Sequence, residues 1–198
     1  MENKLYRYRK NIRLKDFDYS NDGYYFVSVV SHKRKNIFGE IIDGEMNLNQ
    51  AGKIVEKTWQ NIPMHFPNTS CEIFVVMPNH IHGIIDINND QIVEARHASP
   101  VRSKNLKSQS VKSDGVKPQS LGAIIGSFKS AVTKQLHQTK IINQEKIWQR
   151  NYYEHIIRDE HDHQQIADYI LSNPFNWEYD HENPENIESF SKIYLKNP

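Results

Sequence analysis

His80 and His82 stand two residues apart in the run FVVMPNHIHGIIDI, residues 74–87, and both could ligate a metal. In a strand, alternate side chains project from one face, so both imidazoles would rise from the same side of a sheet. Each offers a neutral nitrogen lone pair near pH 7, which suits a divalent ion. Spacing alone is weak. With ten histidines in 198 residues, such a pair arises by chance on the order of once in two chains. A second pair indeed stands at His161 and His163, in the polar run RDEHDHQQ that reads as a solvated helix start. Apolar residues on both sides and a Met-Pro-Asn turn just ahead set the first pair apart. The plainer reading, two half-buried histidines satisfied by backbone groups, stays open at this point.

Further along, IADYILSNP places Tyr169 and Asn173 four residues apart, on one stripe of a helix, with Gln165 a turn earlier. Ile166 and Ile170 share the same repeat and can face a sheet. If the stripe faced the two histidines, a metal would find an oxygen ligand in Asn173 or Gln165. Tyr169 would then present a nucleophilic oxygen to whatever the metal polarises. The alternative is a tyrosine at a helix–sheet boundary with its hydroxyl in water.

These side chains need elements to hold them. GYYFVSVVS, residues 23–31, is aromatic and β-branched and predicts a first strand, followed by a charged exit at residues 32–35. Gly39 and Gly44 predict a small hairpin over residues 39–47. Ala51, Ile54, Val55, Thr58, Trp59 and Ile62 recur at helical spacing and predict a helix over 50–62, closed by Pro63 and Pro67. Residues 69–77 and 80–87 read as two strands, the first so continuously apolar that it is expected at the centre of a sheet. No periodicity survives from 88 to 119, which reads as a flexible insertion. Ser120 is a plausible N-cap for a helix to about 137, with Leu121, Ile124, Ile125, Phe128, Val132 and Leu136 inward and Lys129 and Lys134 outward. Residues 146–157 predict an irregular strand. A last helix spans roughly 159–173 and stops before Pro174. Strands and helices mix without regular alternation, so an α+β fold with a largely antiparallel sheet is expected.

Composition bounds the function loosely. No apolar run approaches the roughly 18 residues of a membrane helix, and the N-terminus is too polar for a signal peptide. The lone Cys71 cannot form an internal disulfide, and the chain reads as cytoplasmic. A net charge of +1 gives no global nucleic-acid signal, but the charge is uneven. Lys4, Arg7, Arg9, Lys10, Arg13 and Lys15, with Tyr6 and Tyr8 between them, form a basic N-terminal arm over about 1–20. Arg96, Arg102, Lys104, Lys107, Lys112 and Lys117 crowd the insertion against Asp114. Basic residues with interleaved aromatics fit phosphates and stacked bases, and a solvated arm and loop fit equally.

The order VVMPNHIHGIIDI, SLGAIIGSFKSAVTKQL, IWQRNYYEHIIRDE, ADYILSNPFNW resembles the REP-associated tyrosine transposases. These belong to the single-tyrosine branch of the HUH nucleases (histidine, hydrophobic residue, histidine). IRLKDFDYSNDGYYFVSV and IFGEIIDGEMNLNQAG resemble a common bacterial subgroup, so the likeness covers about residues 9–184 outside the insertion. The resemblance implies one HUH transposase-like domain over 1–198, with a ferredoxin-like sheet and helices packed on one face. It implies a metal site of His80, His82 and Asn173, with Tyr169 as nucleophile. The implied activity is cleavage and rejoining of single-stranded DNA near hairpins, through a 5′-phosphotyrosine and without a nucleotide cofactor. Mg²⁺ or Mn²⁺ is the expected ion; zinc is disfavoured because no third thiolate, imidazole or carboxylate ligand is evident.

Arg150, Lys129 and Lys134 are further candidates for phosphate contacts, with Arg7, Arg9 and Arg13 of the arm. Arg150 is the best suited, since arginine grips phosphate bidentately. Tyr152 and Tyr153 are alternative nucleophiles, of which strand alternation lets at most one face the histidines. Trp148 could stack a base or fill the core. Single-stranded or hairpin DNA is the expected partner, with no membrane, nucleoid association expected, and a homodimer open, since relatives include monomers and dimers. Two rival functions remain: a nucleic-acid-binding module that cuts nothing, and a metal-dependent hydrolase that uses water.

Overall fold

The computed structural model describes residues 14, 17–89, 117–143 and 145–186. The arginines of the basic arm (Arg7, Arg9, Arg13) and residues 90–116 of the insertion lie outside the described residues. Strand β1 (Gly23–Val30) leads through a 3₁₀ turn (His32–Arg34) to a hairpin of β2 (Gly39–Ile42) and β3 (Glu45–Leu48). Helices α1 (Gln50–Gln60) and α2 (Ile62–His65) precede β4 (Thr69–Ser70), β5 (Phe74–Val76) and β6 (His80–Ile87). Helix α3 (Leu121–Gln138), strand β7 (Tyr153–Ile157) and helix α4 (Glu160–Ser172) follow, then a 3₁₀ turn at Trp177–Tyr179.

The main sheet is antiparallel in the order β4–β6–β1–β7, with β5 also paired to β6. Its two central strands are buried along nearly their whole length, because both faces are covered. Tyr25, Val27 and Val29 of β1, with Ile81, Ile85 and Ile87 of β6, meet Val55 and Trp59 of α1 and the apolar stripe of α3. Those two helices, packed together on this one face of the sheet, give the expected α+β layering. The opposite face carries Phe26, Ile84 and Ile157, and Ile170 of α4 packs there, with Ile166 and Tyr169 beside it. His80 and His82 alternate with Ile81 and therefore belong to this second face.

Two sequence expectations change. Residues 69–77 are not central: they break into β4 and β5, which both pair with β6. Between them Cys71 turns toward α1, its carbonyl accepting from Trp59 Nε1 at 3.2 Å and its thiol donating to the Trp59 carbonyl at 3.3 Å. The apolar run reflects cover by α1 on one face and α4 on the other. Pro63 does not close a helix; it sits in the first turn of α2, where its missing N–H costs nothing. The N-cap of α1 is Asn49, which accepts from the Gly52 amide at 3.0 Å.

Candidate metal centre beside a tyrosine

Register places the histidines in the middle of the sheet. His80 pairs with Val30 and His82 with Ser28, and on the outer side of β6 Val75 pairs with His82. The two rings lie 4.2 Å apart between centroids, with Phe26 5.4 Å from His82 and Trp177 6.1 Å from His80. His80 is fully buried and His82 nearly so. Burial, together with His82 and Arg34, holds the His80 imidazole well below its ordinary value of 6.5, against the pull of Asp180. A buried neutral imidazole keeps a lone pair for a metal.

Helix α4 then brings its stripe over this face. Asp159 caps it, accepting from the Asp162 amide at 2.8 Å. The Tyr169 hydroxyl lies 3.2 Å from His82 Nε2, and the ring centroids are 5.3 Å apart. Asn173 is the helix C-cap, buried beneath the turn that follows.

That turn supplies a residue that the sequence reading misses. Past Pro174 and the 3₁₀ turn, Asp180 is buried with its Oδ2 4.0 Å from His80 Nε2 and 3.9 Å from His82 Nε2. Asn173 Nδ2 donates to the same Oδ2 at 2.8 Å, and the Glu182 amide donates to Oδ1. Burial alone would raise the Asp180 carboxyl; the two imidazoles and the Asn173 amide outweigh it and hold it below the usual carboxylate range. His80, His82 and Asp180 each offer a ligand atom within 4.8 Å of the others. A carboxylate that could serve as a third ligand is therefore present, which removes the ground for disfavouring zinc.

The residues fit a metal by a second test. His80 Nε2, His82 Nδ1 and Asn173 Oδ1 are buried without a hydrogen-bond partner among the described residues. Native interiors rarely leave such atoms unsatisfied, and two of these belong to side chains that meet the Asp180 carboxylate, His80 through Nε2 at 4.0 Å and Asn173 through Nδ2 at 2.8 Å. Two nitrogens and a carboxylate oxygen could hold a borderline divalent ion.

The remaining candidates divide. Gln165 is exposed and pairs with His161 at 3.1 Å, so α4 holds it away from the centre. His163 packs edge-on against Tyr24 at 5.2 Å. Tyr153 shares the histidine face, paired with Ser28 and so two strands from His82, while Tyr152 packs against the core of the other face. Lys129 does not face outward: its Nζ donates to the carbonyls of Gln149, Arg150 and Asn151 at 2.6, 3.2 and 3.4 Å, and burial pushes its ammonium down to about 8. Trp148 is core, with its indole donating to the Lys129 carbonyl at 3.2 Å. Lys134 and Arg150 are exposed and, with Lys129 and Lys146, border a cavity of about 510 Å³.

No protein-family model matches the chain. An uncharacterized protein of Haemophilus influenzae is 40% identical to it over 173 residues, 87% of this chain and 92% of that protein. Among solved structures, a REP-associated tyrosine transposase bound to a REP hairpin is similar with a TM-score of 0.47 and 18% identity, over 87% of this chain and 74% of that one. No helix among the described residues is long and apolar enough to cross a membrane.

Proposed function

The chain belongs to the same family as the uncharacterized Haemophilus influenzae protein, and we propose from its own site that it cleaves and rejoins single-stranded DNA near hairpins. Tyr169 is the nucleophile in this reading, and His80, His82 and Asn173, joined by Asp180, would hold a divalent metal. One observation carries it: a tyrosine hydroxyl 3.2 Å from an imidazole of a buried two-histidine, one-carboxylate group. The order of motifs along the chain, which resembles the single-tyrosine HUH enzymes, supports the same assignment.

A phenol of pKa near 10 is a poor nucleophile at pH 7 without help. A divalent ion bound at these residues would polarise a phosphate oxygen and offset the charge that develops on phosphorus. The Tyr169 oxygen forms a bond to phosphorus as the bond from phosphorus to the 3′-oxygen breaks. The phenol loses a proton and the departing oxygen gains one, leaving a 3′-hydroxyl and a 5′-phosphotyrosine. The phosphodiester's energy is retained, so a 3′-hydroxyl can rejoin the strand without ATP. Arg150 and Lys134 at the basic cavity, and Arg7, Arg9 and Arg13 of the arm, are proposed to contact backbone phosphates. Mn²⁺ suits two imidazoles and a carboxylate better than Mg²⁺, which favours oxygen ligands.

The test is a denaturing gel after incubation with labelled hairpin-bearing single-stranded DNA and Mn²⁺. Wild-type protein is expected to form a covalent adduct and Tyr169→Phe none. Cleavage that survives Tyr169→Phe would make water the nucleophile, and binding without cleavage would reduce the protein to a binding module.

A further inference from the structure

Asn79, the residue just before the first histidine, is fully buried and has polar partners on both ends of its amide. Its Nδ2 lies 3.1 Å from the carbonyl oxygen of Arg34 and 2.7 Å from that of Glu182. Its Oδ1 lies 2.8 Å from His80 Nδ1. A carbonyl oxygen only accepts hydrogen bonds, so the atom that faces two of them must be the amide nitrogen. The reverse orientation would set an oxygen against two oxygens. Oδ1 is then left facing His80, where it too can only accept. The hydrogen of that bond must sit on His80 Nδ1.

A neutral imidazole carries a single N–H, so His80 Nε2 is left with its lone pair. This is the nitrogen 4.0 Å from Asp180 Oδ2, without a hydrogen-bond partner among the described residues. The Asn79 backbone joins the same arrangement, its carbonyl accepting from the Ser31 amide at 2.7 Å. Lys33 and Arg34 hold positive φ angles of 58° and 53°, which non-glycine residues seldom adopt. The Arg34 carbonyl is one of the two held by Asn79, and Arg34 Nε donates to the Glu182 carboxylate at 2.6 Å.

We infer that Asn79 is a positioning residue that locks His80 in the tautomer whose bare Nε2 serves a divalent cation. The same amide ties the segment that carries Asp180 to the strand that carries the histidines. The inference rests on the metal reading above for its purpose, but the tautomer can be read without any metal. Histidines that bind metals are commonly oriented this way by the group opposite, whose loss costs roughly 10- to 100-fold in affinity.

The experiment uses the full chain, metal-free, with ¹⁵N-labelled histidine, and assigns His80 through a His80→Gln comparison. The expected nitrogen pattern is that of Nδ1–H with unprotonated Nε2; the opposite tautomer overturns the inference. A Mn²⁺ titration of two variants then separates positioning from bulk stability. Asn79→Ala removes acceptor and donor, and should weaken Mn²⁺ about 10- to 100-fold. Asn79→Asp keeps the acceptor and loses the donors, so it should lower the melting temperature yet restore affinity to roughly within a few-fold of wild type. Equal affinity loss in both variants would make Asn79 merely structural. Wild-type protein that binds no Mn²⁺ would sink the metal reading, while the nitrogen pattern would still judge Asn79.

Discussion

His82 Nε2 has two suitors, since it faces the Tyr169 hydroxyl at 3.2 Å and the Asp180 carboxylate at 3.9 Å. Nε2 cannot share a hydrogen with the phenol, in either direction, and also lend its lone pair to a metal. Tyr169→Phe should therefore raise Mn²⁺ affinity, by about 5-fold if the hydrogen bond contributes about 1 kcal/mol. Calorimetric titration would show it, and unchanged or weaker binding would mean that the metal does not use that lone pair. Asp180→Ala should weaken Mn²⁺ by at least about 10-fold, whereas Gln165→Ala, on an exposed side chain paired with His161, should leave it unchanged. At this scale the sequence was legible where periodicity rules. The two-residue repeat of a strand puts His80 and His82 on one side, and the four-residue repeat of a helix puts Tyr169 and Asn173 on one stripe; where that stripe faces and what these residues do were implied by the family resemblance alone. Asp180 follows from neither. It reaches the centre through a turn, Asn173 and the Glu182 amide, and nothing in NWEYDHENPEN separates it from the acids beside it.

At the scale of elements, β6 must carry histidines on one face and lie flush against α1 on the other. Gly83 makes this possible. A Cβ there would run into Trp59 Cζ2 and come within 3.0 Å of Phe74 Cβ, and Trp59 is fully buried. Gly83→Ala should destabilise the protein by about 1–3 kcal/mol through overpacking. Urea unfolding would measure it, and a neutral result would mean that α1 can shift away from the sheet at little cost. The stretch at residues 69–77 misleads because apolar continuity reports burial on two faces and says nothing of neighbours within the sheet. Pro63 misleads for a related reason: a proline ends one helix or begins the next equally well, and here α1 has already ended before it, with Asn61 as its C-cap.

The whole molecule should show the cost of burying His80. Its imidazole titrates well below 6.5 when folded and near 6.5 when unfolded. As pH falls below about 6.5 the unfolded chain takes up a proton that the folded protein refuses, so stability drops by up to about 1.4 kcal/mol per pH unit. Asp180, held low in the folded state, adds a loss of the same sign below about pH 4. Urea midpoints in chelator at pH 7 and pH 5 should fall further for wild type than for His80→Gln; equal falls would mean that His80 is not the group responsible. The α+β architecture was readable from element order, and the cover of the histidine face by α4 was readable only as a condition on where Tyr169 points. In the proposed reaction Tyr169 becomes covalently joined to DNA, and mass spectrometry of the protease-digested adduct, formed with Mn²⁺ and a hairpin-bearing single strand, reads that bond directly. A peptide spanning Tyr169 and carrying a 5′-phosphonucleotide is the predicted result; the same modification on Tyr153, or cleaved DNA with no modified peptide, would contradict it.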